Sequence, residues 1–517
     1  MSRAIFRSTT VVGSMTFLSR ITGLVRDQAF AQAFGAGLVM DAFLVAYKIP
    51  NFLRRLFAEG AFSQAFVPVI SEYRVQRPAS EVRELVSGVS GTLGALLFLV
   101  TLAGVLGAPL VILLFAPGFT DEPDKYRLAV EMLRWTFPYI AFISLTALFS
   151  GVLNSYGRFG VPAFTQVVGN LVLIFFAVVV AAHSARPGVM LAIGVTVSGL
   201  LQLAYQLPAV ARLGLLSWPR WRPALEGVRR IGRLMLPGIL GSSMAQVSLL
   251  LDVLIASFLM SGSISWLYFA DRLMEFPLGV FSIALATVIL PGLSAQHAER
   301  STARFSATLD WALRLVVLLA TPAAVALLVL AGPLTATIFG YGAFDGRDVR
   351  MATYGLMAYS WGLLGFSFVK VLAPGFFARQ DTRTPVRVGL IALGVNMGLN
   401  VGVVLPAHML GFPLPYLLLA TSTCVSGAVN ALLLWRGLRR SGVYVPGAGW
   451  RALLVRVLTG NLVMAVVLWL LAGGLDGWLG VPAWKKAARL ALCVAGGATA
   501  YFATMFAAGL RYRHLRA

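Results

Sequence analysis

Apolar stretches of roughly 20 residues follow one another along almost the whole chain, separated by short polar breaks. A helix of about 20 residues crosses the roughly 30 Å hydrocarbon core of a bilayer, so the pattern predicts about fourteen membrane spans. They begin near residues 9, 39, 87, 129, 162, 189, 234, 267, 313, 352, 386, 411, 453 and 487. The fold class that follows is an all-α polytopic membrane protein.

The polar breaks alternate in charge. One set carries Arg3 and Arg7; Arg74, Arg77 and Arg83; Arg158; Arg212, Arg220, Arg222, Arg229, Arg230 and Arg233; Arg300 and Arg304; Arg379, Arg383 and Arg387; Arg436, Arg439 and Arg440; and Arg511, Arg513 and Arg516. Basic loops stay in the cytoplasm, which puts this set and both termini inside. The other set is poor in Arg and Lys, carries acids at Asp121–Asp124 and Asp345–Asp348, and faces outward. Ala31-Gln32-Ala33 has the look of a signal cleavage site, but Arg20, Arg26 and Asp27 interrupt the stretch before it, so that stretch reads as the first span. The longest inner break interleaves Trp218, Trp221, Leu213 and Leu215 with arginine. That suits a segment lying in the anionic inner headgroup layer, and a plain tether is an equal reading.

Shifted by about 223 residues, the chain aligns with itself. Val67-Pro68-Val69-Ile70-Ser71 falls on Leu290-Pro291-Gly292-Leu293-Ser294, and Pro162 falls on Pro385. Phe115, Gly118 and Asp121 fall one residue further along, on Phe339, Gly342 and Asp345. Two six-span lobes follow, and an even span count gives both the same orientation, related by a pseudo-two-fold along the membrane normal. The expected division is an N-lobe over 1–211, a cytoplasmic amphipathic linker over 212–233, a C-lobe over 234–440, and two extra C-terminal helices over 441–517. Parallel repeats of this kind mark transporters, with substrate expected near the midplane between the lobes.

Composition agrees with the pattern: 58% of the 517 residues are hydrophobic and 12% are charged, against about 45–50% and about 25% in soluble domains. The net charge of +22 is explained by the inner loops, and no nucleic acid is expected as partner. Cys424 and Cys493 both sit in apolar runs, and His183, His297, His408 and His514 are scattered without ligand spacing, so zinc and redox chemistry are not expected.

The informative residues are ionised ones inside apolar spans: Arg20, Arg26, Asp41, Lys48, Arg54, Arg55, Glu59, Asp252, Asp271, Arg272, Glu275 and Lys370. Arg55 can snorkel to the inner surface, and Lys48 or Glu59 can form ordinary intramembrane pairs. As a set they are harder to dismiss: Arg20, Arg26, Arg54 and Arg272 facing lipid would cost on the order of 10 kcal/mol together. They are expected to face a hydrated cavity with a cationic centre contributed by both lobes. The planar fork of arginine suits phosphate or diphosphate oxygens, so the expected ligand is an anion. Arg20 and Arg26 are six apart, about 120° around a straight helix, unless Gly23 bends it. Asp41, Asp271 and Glu275 balance that charge or orient the arginines.

Ser19-Arg20-Ile21-Thr22-Gly23-Leu24-Val25-Arg26-Asp27, Asp41-Ala42-Phe43, the run from Pro50 to Phe62, the run from Ala270 to Pro277 and the run from Leu372 to Asp381 resemble the MurJ (MviN) lipid II flippases of the multidrug/oligosaccharidyl-lipid/polysaccharide exporter superfamily. The resemblance spans essentially the whole chain. It implies a fourteen-helix protein of the bacterial inner membrane that moves undecaprenyl-diphosphate-linked disaccharide pentapeptide outward for peptidoglycan synthesis. By matching motif it implies that Arg20, Arg26, Arg54 and Arg272 bind the diphosphate, with Asp41, Glu59, Asp271, Glu275 and Lys370 as supporting charges. It implies that the last two helices form a groove for the polyprenyl tail. Some members hold sodium, and Asp252, Asn396 and Asn400, with Thr421 as a fourth ligand, match that pattern in type and spacing; Asn400 stands where an acid is expected. Helix-to-helix hydrogen bonding is the competing reading of these residues.

The resulting expectation is a transporter, not an enzyme, working by alternating access, with membrane lipids and the wall-synthesis machinery as partners and a monomer sufficient. Moving two negative charges out of an inside-negative cell is favoured by roughly 4–5 kcal/mol at 100 mV. The chain carries no G-x-x-x-x-G-K-[ST] loop, which argues against intrinsic ATPase activity. Three rival readings are an exporter of another polyprenyl-diphosphate glycan or of cationic drugs, a membrane enzyme on the same lipid, and a non-transporting partner in cell-wall synthesis. A drug exporter would need acids facing the cavity, and an enzyme would need a pair such as Asp121 and Asp124, which read more simply as a charged turn.

Overall fold

A computed structural model of the chain describes residues 3–55 and 62–509, and among these it is helical with no strand. The first series of helices is α1 (Arg3–Phe34), α2 (Leu38–Arg54), α3 (Phe62–Gln76), α4 (Ala79–Leu106), α5 (Ala108–Phe115), α6 (Pro123–Thr136), α7 (Tyr139–Ser155), α8 (Gly160–Phe175) and α9 (Pro187–Ala211). The second is α10 (Glu226–Ser257), α11 (Ser263–Pro277), α12 (Ala284–Ala298), α13 (Thr302–Val329), α14 (Ala331–Ile338), α15 (Gly346–Ser360), α16 (Gly362–Phe377), α17 (Arg383–Leu399), α18 (Leu405–Met409) and α19 (Pro415–Arg440). Two helices close the chain, α20 (Trp450–Ala472) and α21 (Ala483–Ala507).

The two series repeat in length and in their breaks. α1 and α10 have 32 residues each, α4 and α13 have 28, and α5 and α14 have 8. Both α8 and α17 run into a one-turn π-helical widening, at Phe176–Val180 and Asn400–Val404. Proline opens both α9 and α19, where its missing N–H costs no helix bond. α20 and α21 have no counterpart in the first series.

Among the described residues nine helical stretches are long and apolar enough to cross a membrane, or ten if α15 and α16, bent by 45°, form one span. The helices at the other four expected positions, α1, α2 with α3, α10, and α11 with α12, are not among them, although α1 and α10 at 32 residues have the length.

The chain divides into two compact units, Met1–Ile264 and Ser265–Ala517. The core of the first joins α3, α4 and α7 through Phe66, Ile70, Leu85, Val86, Leu148 and Val152. The core of the second joins α13, α16 and α19 through Leu309, Leu313, Leu372, Phe376, Leu434 and Leu438. α10, the counterpart of α1, packs within the first unit against α3 and α4.

The segment after α9 is extended and rests on α4. Ser87 Oγ donates to the Trp218 carbonyl at 2.6 Å, and the Arg220 N–H donates to the Ser87 carbonyl at 3.1 Å. Glycine is required at Gly91, where a Cβ would lie 2.3 Å from the Arg220 backbone. Arg222 pairs with Glu84, while Trp218 and Trp221 remain exposed.

In the second unit α20 and α21 form a hairpin. Gly497 lets them close on each other, since a Cβ there would lie 2.5 Å from Leu468. Tyr501 donates to the Leu318 carbonyl of α13 at 2.9 Å, and Lys486 donates to the carbonyls of Ala336 and Gly340 at 3.2 Å each. Only 22% of the apolar window of α21 is buried, against 67% for α6 and α7, so its outer face is left for lipid.

The loop leading into α20 is held by Asp310 on α13. One carboxylate oxygen accepts from Tyr444 at 2.9 Å, Trp450 Nε1 at 2.8 Å and the Gly447 N–H at 3.2 Å, while the other accepts from Arg314 at 2.7 Å. Asp310→Ala is expected to lower stability by about 2–3 kcal/mol, because four donors lose a buried charged acceptor. Thermal unfolding in detergent measures the loss, and limited proteolysis should show new cleavage within 441–449; an unchanged melting temperature would refute the anchor.

Candidate functional site

α1 is one continuous helix through Gly23, so Arg20 and Arg26 point to different sides. Arg20 is exposed, whereas Arg26 is buried at 6% exposure. The Arg26 guanidinium donates to Asp27 through Nε at 3.0 Å and Nη2 at 2.6 Å, and through Nη1 to Asn170 Oδ1 at 3.1 Å. It also lies 5.6 Å from the Phe30 ring. Asn170 of α8 holds the same stretch of α1 by donating to the Ser19 carbonyl at 3.2 Å and to Thr22 Oγ1 at 3.1 Å. Arg26 is therefore a partnered cation in a polar contact between α1 and α8.

Arg54, the last residue of α2, donates to Asn51 Oδ1 at 2.7 Å. It lines a cavity of about 440 Å³ inside the first unit, whose walls come from α1, α3, α7, α8 and α9. Glu59 lies outside the described residues.

Asp41, near the start of α2, is buried and forms an ion pair with Lys125 at 3.1 Å. It also accepts the Gly262 N–H at 2.7 Å. Lys125 in turn donates to Ser261 Oγ at 2.9 Å and lies 4.6 Å from the Phe119 ring. Close by, Ser257 Oγ accepts the Gly118 N–H at 3.1 Å, and a Cβ on Gly118 would lie 2.3 Å from the Ser257 carbonyl oxygen. The helix ends of α2 and α6, the turn Pro117–Asp121 and the segment 257–262 are thus fastened together around one buried ion pair. Sequence reasoning placed Asp41 among supporting charges and missed Lys125, a cation amid the acids Asp121, Glu122 and Asp124.

In the second unit Arg272 on α11 donates to Glu275 at 2.8 Å and stacks 5.2 Å from the Tyr268 ring. Its side chain is 33% exposed and that of Glu275 is 50% exposed. Asp271 is half-buried, and Lys370 on α16 is exposed. Of the sodium candidates, Asp252 is half-buried in the first unit, while Asn396 and Asn400 are buried in the second. Asn400 Oδ1 accepts from Ser422, and Thr421 donates to the Leu417 carbonyl at 2.8 Å. Among the described residues no group of three or more His, Cys, Asp or Glu side chains could hold a metal.

A family model described as "Lipid II flippase MurJ" matches residues 30–481. The "Probable lipid II flippase MurJ" of Haemophilus influenzae is 43% identical over 514 residues, covering 97% of this chain and 99% of that one. The "Probable lipid II flippase MurJ" of Vibrio cholerae is 43% identical, covering 100% and 98%. The "Lipid II flippase MurJ" of Burkholderia cenocepacia is 41% identical, covering 99% of each. Among solved structures the chain is similar to a lipid II flippase MurJ in an inward closed conformation, with TM-score 0.78, 24% identity and coverage of 96% and 98%. It is also similar to an inward-facing multidrug resistance MATE family transporter of the MOP superfamily, with TM-score 0.61, 14% identity and coverage of 86% and 99%. These two structural likenesses concern the fold.

Removing one member of a buried ion pair costs about 3–5 kcal/mol, while removing both is far cheaper. Lys125→Met is therefore expected to destabilise the protein strongly, and Asp41→Asn with Lys125→Met to recover more than half of that loss. Unfolding of the single and double variants in detergent checks this; additive losses would show that the two charges are not coupled.

Proposed function

The chain belongs to the MurJ family of lipid II flippases, and on that premise we propose that its arginines bind the diphosphate of the lipid and that transport proceeds by alternating access. It is a lipid II flippase, a multi-pass membrane transporter and not an enzyme. The observation that carries this is the match to MurJ relatives over essentially the full length of the chain. Its part in peptidoglycan and cell-wall synthesis follows from the lipid it moves, and the inner membrane is the compartment consistent with that role.

The diphosphate presents the charge that arginine answers best, because a guanidinium keeps its proton on burial and offers parallel donors. Arg54 faces a cavity, Arg20 is exposed, and Arg272 is held by a carboxylate that is itself half exposed, so an incoming phosphate can compete for each. Arg26 is committed to Asp27 and Asn170, and serves the cycle by exchanging Asp27 for phosphate. The polyprenyl tail stays in lipid along α20 and α21, whose exposed apolar side chains include Leu458, Leu462, Trp469 and Phe506. Both termini lie in the cytoplasm by the distribution of arginine. The membrane potential favours outward movement of the anionic headgroup, and a sodium gradient is the second source of drive.

The test is outward movement of lipid II in cells depleted of their own flippase and supplied with this protein at matched membrane levels. Arg26→Ala and Arg272→Ala are each expected to lower movement at least tenfold. Normal movement in both would remove the arginines from the transport step, and no movement with the unmutated protein would overturn the flippase reading itself.

A further inference from the structure

We propose that the cleft between the end of α4, α5 and α6 holds the phosphate of an anionic phospholipid of the surrounding bilayer, with Arg127 and Arg134 as its cationic walls. The cleft measures about 620 Å³, its apolar floor comes from Val105, Pro109 and Val130, and its polar lining comes from α6. It shares no lining residue with the cavity at Arg54 and lies apart from it.

Arg127, Glu131 and Arg134 are spaced by four and three residues on α6 and so share one face, while Lys125, Ala129, Met132 and Leu133 are buried on the other. Glu131 is paired with Arg186, the residue ahead of α9, so its charge is answered from outside the cleft. Arg127 and Arg134 are exposed, and among the described residues neither has a hydrogen bond, ion pair or ring contact. The lining therefore carries two cations that the protein itself leaves unanswered. Its frame is fixed by contacts at both ends. Tyr126 donates to the Pro109 carbonyl at 3.0 Å and ties α6 to α5. At the inner end α4 closes on the junction of α6 and α7 at Gly104, where a Cβ would lie 2.1 Å from the Phe137 ring. Thr196 of α9 donates to the Trp135 carbonyl and holds that end of α6 in place.

Position selects a lipid over a soluble anion. Arg83 is exposed near the start of α4, and from there to Val105 the helix rises about 33 Å, close to one hydrocarbon thickness. With Arg83 in one headgroup layer the cleft falls in the opposite one, which is the outer layer on the orientation proposed above. Tyr126 and Trp135 are the aromatic types that favour this depth. Beside the cleft Leu106 and Leu110 are 71% and 72% exposed, an apolar flank against which acyl chains can lie. A free phosphate has no use for that flank, whereas a phospholipid uses both parts. The headgroup is selected in the same way. An ethanolamine headgroup brings an ammonium, and the one carboxylate among the described lining residues is already engaged by Arg186. A glycerol headgroup brings a phosphate for the arginines and hydroxyls that need no counter-charge.

The experiment places the full-length protein in phosphatidylcholine nanodiscs with a trace of phosphatidylglycerol that carries a photoactivatable diazirine near the glycerol end of one acyl chain. Cross-linked peptides are quantified by mass spectrometry. Labelling within 102–135 is expected to exceed that of α21, which faces lipid without such a cleft, and to be displaced by unlabelled phosphatidylglycerol but not by phosphatidylethanolamine or inorganic phosphate. Arg127→Gln and Arg134→Gln are each expected to lower it about fivefold, and the double variant roughly twentyfold, the scale of one basic residue beside an anionic headgroup in each case. Labelling of α21 should not change. Lysine at both positions keeps the charge and is expected to retain most of the labelling, which separates loss of charge from damage to the fold. The proposal is overturned if labelling of 102–135 matches that of α21, if the double glutamine variant labels as the unmutated protein does, or if the lysine variant loses as much as the glutamine one. Equal displacement by phosphatidylethanolamine or by inorganic phosphate would overturn it too.

Discussion

Everything distinctive about this chain follows from placing ionised groups on helices that must cross a medium unable to solvate them. Inside such a medium a charge has three outcomes: it is neutralised, it meets water, or it meets a partner. Arg26 meets Asp27 and Asn170, and Asp41 meets Lys125 and the Gly262 N–H. Buried pairs of this kind add little net stability over apolar side chains of the same size, because desolvation consumes most of the attraction. What they fix is position. Asn170 fastens α8 to α1, and the Asp41–Lys125 pair fastens α2 to α6 and to the segment ahead of α11. A transporter can use such contacts as fasteners, since exchanging one partner for another of the same charge is cheap while losing a partner outright is not.

The elements and the repeat were legible in the sequence because they depend on local signals: apolar runs long enough for a bilayer, proline at helix starts, and one pattern written twice. The divergence of Arg20 and Arg26, about 120° around a straight helix, followed from the helical period provided Gly23 did not bend it, and the continuous α1, with Arg20 exposed and Arg26 buried, agrees with that. Partners were not legible. Lys125 sits beside Glu122 and Asp124 in a polar break, where a lysine ordinarily extends into water. Only the fold shows it folded back onto an aromatic ring and a carboxylate from a helix more than 80 residues earlier. The one signal available was a single cation in an acidic turn. Asn170 gave still less, because a lone amide in an apolar run reads as packing until its hydrogen-bond partners can be seen. Arginine declares itself in a membrane sequence by its cost, whereas a neutral amide carries no comparable signature.

The repeat also shows how the chain leaves each lobe. Ser87 on α4 and Asp310 on α13 occupy equivalent positions, 223 residues apart in the numbering. Each receives the segment that follows the last helix of its series: Trp218 and Arg220 after α9 in one case, Tyr444, Gly447 and Trp450 after α19 in the other. The next position along the same face differs in a complementary way. Gly91 lets the Arg220 backbone lie directly on α4, while Arg314, its equivalent, reaches across to the Ala448 carbonyl at 2.7 Å and pairs with Asp310. A hydroxyl and a bare backbone suffice where the segment leads into α10, which packs into the first unit and is held along its length. A carboxylate with four donors stands where the segment leads into the two-helix hairpin, most of whose surface faces lipid. Lipid offers such a hairpin no hydrophobic force toward the bundle, so its position must come from close packing and polar contacts at its ends. The stronger anchor is at the position where the fold depends on it most.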